Sequence, residues 1–335
     1  MAVLGRTFFD LIDLYKSTDG CGQFNPIIEM LTQMNPILDD AIAMEANKGT
    51  THLTTVRTGL PAVTWGMLYK GIPQSKSAKQ QVEDTTGFVE GLSSVDERLL
   101  ELAGNNAGNI RLSEATAFLE SMSNEVATKI FYGNSAADPE QFMGLAPRFN
   151  DKNAPNGNQI VDAGGTGSDN TSIWFVTWGE NQTHLIYPKG TQAGLQREDK
   201  GSQRVADGDG NAYYVKEELF RWHVGLTVRD WRYVVRIANV DISDLQAGTV
   251  KLYDFMRKAY YRLQNRRVAG GKFAIYANRD IMEALDALAT NAGATDSFIR
   301  LKPMEIEGKE VLAYRGIPIR ETDALVNTEA RVVGL

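Results

Sequence analysis

The sequence predicts an α+β protein, and three observations carry that reading. The first is a helical stripe over 111–132. Leu112, Ala115, Leu119, Met122, Val126 and Ile130 recur at spacings of three and four, and Phe118 and Phe131 widen the stripe. The second is strand patterning in the middle of the chain. Residues 173–178 form a near-continuous apolar run, and Trp222, Val224, Leu226 and Val228 alternate as in an antiparallel sheet with one solvated side. The third is an extended arm over 51–92, where two β-branched segments flank a polar tip at 71–81 that has almost nothing to bury.

Composition narrows the class. At 335 residues the chain is too long for one ordinary core and calls for one large or two smaller subdomains. A hydrophobic content of 43% with 23% charged residues fits a folded soluble protein. The 35 Lys and Arg against 42 Asp and Glu leave a net charge of −7, which argues against a dedicated nucleic-acid binder but not against proximity to DNA. Cys21 is the only cysteine, so no intramolecular disulfide forms, which fits synthesis in a reducing cytoplasm. No apolar run approaches the roughly 20 residues that cross a bilayer, and the first eleven residues do not read as a signal peptide.

In chain order, Phe8, Phe9, Leu11, Ile12 and Leu14 form one short helical pattern, and Ile27 to Leu38 a second, interrupted by Pro36. Neither can bury its apolar side alone. After the arm, Leu92, Val95, Leu99, Leu100 and Leu102 predict a short helix stopped by Gly104, with 104–109 as a loop. The 111–132 helix would span roughly 33 Å, with Ser113 as its possible N-cap and Gly133 as a left-handed stop. Its Leu119 and Met122 are expected to be buried against a sheet. Beyond Gly133 an apolar plug of Phe142, Met143 and Leu145 lies between Pro139 and Pro147, a loop that folds back on the body.

Residues 151–168 read as a surface loop, and 171–187 as a hairpin turning at Gly179. Residues 190–211 read as loop, followed by strands at 213–215 and 220–237. A helix is expected over 249–267, a buried strand at 272–277, and a helix over 279–289 capped by Asn278 or Asp280. The end is strand-rich, at 311–314, 317–325 and 331–333.

Two phrases carry a resemblance. Following a long helix, FYGNSAADPEQFMGLAPRF (131–149) resembles the spine helix and post-helix loop of tailed-bacteriophage major capsid proteins, in particular those of short-tailed phages of the epsilon-fifteen kind. YRGIPIRETDAL (314–325) resembles the last P-domain strands of the same proteins. The resemblance implies the Hong Kong 97-like capsid fold: an N-terminal arm over 1–50, an E-loop over 51–92 lying across the adjacent subunit, a P-domain over 93–244 with its spine helix, an A-domain over 245–300, and a return to the P-domain over 301–335. It further implies a virion structural protein without catalysis, self-assembling into hexamers and pentamers of an icosahedral shell around packaged double-stranded DNA. Scaffolding, portal and decoration proteins of the same phage would be its partners. The alternative is an encapsulin-like compartment subunit, which shares the fold but encloses enzymes.

The residues themselves offer little chemistry. His52, His184 and His223 lie far apart, each in a strand-like stretch, and read as structural. The Gly-rich run at 164–168 does not join a strand to a helix, so it is no phosphate cradle. Asp207, Asp209, Asn211 and Glu218 mimic a calcium loop, but Ala212 stands where such a loop needs glycine, and the segment reads as an Asp-Gly turn. Lys70, Lys76 and Lys79 of the arm carry no mark of an isopeptide site. The expectation is therefore no catalytic, cofactor-binding or metal-binding residues. One charge pattern stays open: Arg257, Lys258, Arg262, Arg266 and Arg267 form a basic helix side, either a solvated surface or a ring of charge facing an acidic neighbour.

Overall fold

The computed structural model describes residues 33–206, 210–266, 270–290, 302–306 and 309–334. The expected helix at 8–14 and Cys21 fall outside these residues. Of the helical pattern at 27–38, the described part holds a single turn, α1 (Ile37–Asp40), entered through Pro36. The chain continues through β1 (Ala43–Glu45), β2 (Thr51–Gly59), β3 (Ala78–Asp96), α2 (Glu97–Ala103), α3 (Ala107–Tyr132), α4 (Leu145–Arg148), β4 (Ile160–Asp162), β5 (Asn170–Trp178), β6 (Thr183–Tyr187), β7 (Leu195–Ala206), β8 (Ala212–Val228) and β9 (Val234–Asp241). Then follow α5 (Ile242–Gln246), α6 (Leu252–Arg262), β10 (Lys272–Ala277), α7 (Arg279–Thr290), β11 (Lys302–Ile306), β12 (Lys309–Tyr314) and β13 (Ile317–Glu321).

One mixed sheet organises these elements, with the strand path β11-β12-β13-β10-β5-β6-β8-β3-β2; β9 pairs with β5, β7 with β8, β4 with β9 and β1 with β6. β5 is buried along its whole length. Its Trp174, Val176 and Trp178 pack on one side with Val126, Ile130 and Phe131 of α3 and Leu145 of α4. Its Ile173 and Phe175 pack on the other with α5, α6 and α7 through Leu245, Leu252, Met256, Ile281 and Leu285. A strand covered on both faces needs apolar residues at every position, which is why 173–178 lacks alternation.

Several local expectations change. α3 starts at Ala107, so Ser113 is interior and only 104–106 of the expected loop stays outside the α-helix, as a 3₁₀ turn. β3 runs through Leu92 and Val95, and the short helix begins only after Asp96, whose carboxylate accepts from the Arg98 N–H at 2.9 Å. The expected loop at 190–211 contains β7, a strand paired along β8 from Leu195↔Trp222 to Ala206↔Ala212. Residues 212–228 form one long strand. β5 and β6 touch only at Trp178↔Thr183, in parallel sense, so they are not a hairpin. Residues 331–333 form no strand.

Gly133 does end α3, but in extended backbone, with φ −52° and ψ 134°. Close packing requires the glycine: a Cβ there would lie 2.5 Å from the Phe142 carbonyl oxygen and 2.6 Å from that of Lys129. Leu119 is 37% exposed whereas Met122 is 4% exposed. Met122 packs with Ala115 and Phe220 under β8, and Leu119 points away from that contact.

Candidate assembly surfaces

The arm grows out of the body sheet without a joint. β3 pairs with β8 from Thr86↔Gly225 to Asp96↔Val215, and its earlier residues pair with β2 from Thr51↔Thr85 outward. Close packing holds the root. A Cβ on Gly225 would lie 2.7 Å from the Thr85 carbonyl oxygen, and one on Gly87 would lie 2.9 Å from that of Glu140.

A buried polar cluster sits under this root. Asp84, opposite His52 in register, pairs with Arg148 at 2.8 Å and accepts from the Thr227 hydroxyl at 2.6 Å. His52 packs edge to face on His184, so the structure joins two histidines that the sequence keeps 132 positions apart; His223 instead packs against Phe88. Burial, the neighbouring His52 and Arg229 lower the His184 pKa to about 4, against an opposing effect of the Gly179 backbone and Asp84. Burial also lowers that of His52, helped by Arg229 and opposed by Asp84. Both imidazoles are therefore neutral near pH 7.

Beyond Gly59 the arm leaves the sheet. Residues 60–70, expected as part of the extended arm ahead of the polar tip, form no strand and belong to the tip, residues 60–77. Seven large apolar side chains there (Leu60, Val63, Trp65, Met67, Leu68, Tyr69, Ile72) are between 69% and 108% exposed. From residue 57 to residue 82 the charges are Arg57, Lys70, Lys76 and Lys79, with no carboxylate. Of the polar tip expected at 71–81, residues 71–77 lie in the tip and 78–81 belong to β3, paired with β2. The available signal was the run Trp65 to Tyr69, interrupted by Gly66 and closed off by Gly71, with no alternating pattern.

Two clamps fix the chain on the α3 side of the sheet. Glu329 accepts from Tyr132, Ser172 and Arg236, the last at 2.7 Å, and Arg236 also donates to the Phe149 carbonyl at 2.9 Å. This ties α3, the post-helix loop and the C-terminal segment together. Burial, then the Glu329 charge, raises the Tyr132 pKa above its ordinary value. The second clamp centres on Asp40, whose carboxylate takes Lys272 at 2.8 Å, Arg320 at 3.1 Å and the Tyr276 hydroxyl at 3.0 Å. It fixes the point where the N-terminal segment joins the body.

Among the described residues no group of three or more His, Cys, Asp or Glu side chains is arranged to hold a metal ion. Asp207 and Asp209 of the calcium-loop pattern lie outside the described residues. Glu218, its last member, is buried in β8 and paired with Arg111 and with Arg197, the latter at 2.7 Å. Gly164 and Gly165 line a cavity with Asn239 and Asp241 rather than a helix start. Among the described residues no helix is long and apolar enough to cross a membrane.

Comparison with known proteins gives the context for these surfaces. The profile of the major capsid protein GP7 family matches residues 19–333. The chain is similar to the solved structure of bacteriophage Epsilon15, with 37% identity, 99% of each chain covered and a TM-score of 0.77. It also matches the SrpI encapsulin of Synechococcus elongatus at 12% identity over 70% of this chain and 96% of that one, with a TM-score of 0.46. The capsid of bacteriophage JBD30 matches at 8% identity over 88% and 92%, with a TM-score of 0.49. Curated proteins give no match. The fold is the Hong Kong 97-like capsid fold. The chain belongs to the GP7 family of major capsid proteins and is a subunit of a phage capsid shell.

Proposed function

We propose that this subunit closes into hexamers and pentamers of an icosahedral shell around packaged double-stranded DNA, with residues 51–92 as an E-loop lying over the adjacent copy. The observation that carries this reading is the arm tip. Seven large apolar side chains stand exposed at the end of a rooted hairpin, with no partner surface among the described residues. Covering each contributes roughly 1.5–3 kcal/mol. Repetition of such contacts over a closed lattice stabilises the whole shell. In this reading 93–244 with α3 is the P-domain, 245–300 the A-domain, and 301–335 the return to the P-domain. The subunit works without catalysis. It is made in the host cytoplasm and assembles with scaffolding, portal and decoration proteins of the same phage.

Electron microscopy of the protein, purified alone and after co-expression with its phage neighbours, tests the proposal. Closed particles containing nucleic acid are expected. A strictly monomeric protein under both conditions would refute shell building. Particles that exclude DNA and retain enzymes would favour an encapsulin-like compartment.

A further inference from the structure

Of the basic side expected on a helix over 249–267, only Arg266 enters a definite surface: α6 ends at Arg262, Arg257 pairs with Asp254, and Arg262 donates to the Ile160 carbonyl, while Arg266 lies beyond the helix. β12 and β13 are joined by a two-residue turn, Arg315-Gly316, with φ values of 53° and 83°. Such a turn takes Asn-Gly at least cost, and an arginine in left-handed backbone is strained. The guanidinium of Arg315 stacks over Tyr260, Tyr261 and Tyr314 at 5.1, 5.3 and 5.6 Å, and its Nη1 donates to the Tyr261 hydroxyl at 3.1 Å. Arg266 stacks on Tyr260 and Tyr261 at 5.4 and 4.8 Å and donates to the Tyr260 carbonyl at 3.1 Å. Among the described residues neither arginine pairs with a carboxylate. The result is a rigid platform of two cations on tyrosine rings. Tyrosine and arginine dominate interface hot spots because they offer large, preorganised contact area.

The same layer carries the opposite feature. Between α5 and α7 lies a groove of about 430 Å³ with apolar walls from Leu245, Val250 and Leu288 and two carboxylates, Asp280 and Glu283. Among the described residues no Lys or Arg lines it. Glu283 is exposed and, among the described residues, has no cation partner. Asp280 accepts from the Asn327 amide at 2.5 Å. α6 and α7 are fixed in one core, and no ion pair joins platform to groove within the chain among the described residues.

Resting on the capsid reading, we infer that the Arg266–Arg315 platform of one copy docks in the Asp280–Glu283 groove of a second copy. Each copy carries both halves, so the contact is head to tail and closes into rings when its rotation allows. Opposite charges set the register and reject like-to-like pairing.

Charge exchange tests this. Arg266→Glu with Arg315→Glu, and separately Glu283→Arg, should each lower the assembled fraction about tenfold or more in sedimentation. Circular dichroism should show both variants folded. Placing all three substitutions in one chain should restore assembly. The inference is overturned if the platform variant assembles at the wild-type level, or if the triple variant assembles no better than the single-side ones. It is equally overturned if the platform variant forms normal shells with reduced DNA content, since the platform would then face nucleic acid. Wild-type particles in the same experiment separate failure of this contact from failure of the shell reading.

Discussion

His52 of β2 and His184 of β6 meet edge to face at the arm root, ring centroids 5.5 Å apart and planes at 87°. The charged groups around the pair are Asp84 from β3 and Arg229 beyond β8, and the Asp84 carboxylate is already held by Arg148 and Thr227. A proton on either ring would therefore add a buried charge with no free counter-charge.

This relationship gives a pH dependence. Both histidines have native pKa values below the ordinary 6.5, so the unfolded chain binds more protons than the native one. The stability they contribute is complete above pH 6.5 and is lost as pH falls toward the native value of about 4 for His184. The loss is on the order of 1–3 kcal/mol. Urea melts of the unassembled subunit at pH 7, 5.5 and 4.5 measure it. His184→Gln should flatten the trend, and an identical slope in that variant would remove His184 as its source.

The Arg236–Glu329 pair is enclosed, each side chain 4% exposed. Glu329→Ala leaves the guanidinium buried with only neutral partners, the Ser172 hydroxyl and the Phe149 and Ala146 carbonyls, and should cost about 3–5 kcal/mol. A denaturation midpoint unchanged from wild type would show that the C-terminal segment is not clamped by this pair.

Leu119 and Met122 share the sequence stripe but not its fate. Met122→Asp places an unpaired charge under β8 and should cost more than about 4 kcal/mol, yielding insoluble protein. Leu119→Asp should change subunit stability by no more than about 0.5–1 kcal/mol. Equal solubility losses in the two variants would contradict the orientation of α3.

Gly133→Ala tests the helix stop. A methyl group would strike two backbone carbonyls, neither on a flexible side chain. We expect a loss of about 2–4 kcal/mol in thermal or urea unfolding. A neutral effect would mean that the post-helix loop can move away from α3.

These cases show where the sequence was legible. The C-terminal half of α3 and α7 each pack one face of the central sheet, and β5 and β10 are covered on both, so their patterns are unambiguous. α3 begins with Ala107-Gly108-Asn109, residues that signal a loop, yet tertiary packing of Ile110 extends the helix through them. β7 was hidden because an outer strand exposed on most of its length has no apolar alternation to display. Leu92 and Val95 mimic a helical stripe but belong to β3, where Val95 faces α2 and Leu92 faces solvent. The His52–His184 contact was invisible because it depends on which strands become neighbours. The tip was misread because exposed aromatic residues imitate strand residues unless their burial is known.

The most direct test of the arm as the shell-building contact is limited trypsin digestion of dissociated subunits and intact particles, with the first cuts read by mass spectrometry. Lys70, Lys76 and Lys79 are exposed in the single chain. The account predicts first cuts at these lysines in the free subunit and protection of all three in the particle, where a neighbour covers the apolar tip. Cleavage at these lysines as fast in the particle as in the subunit would contradict it.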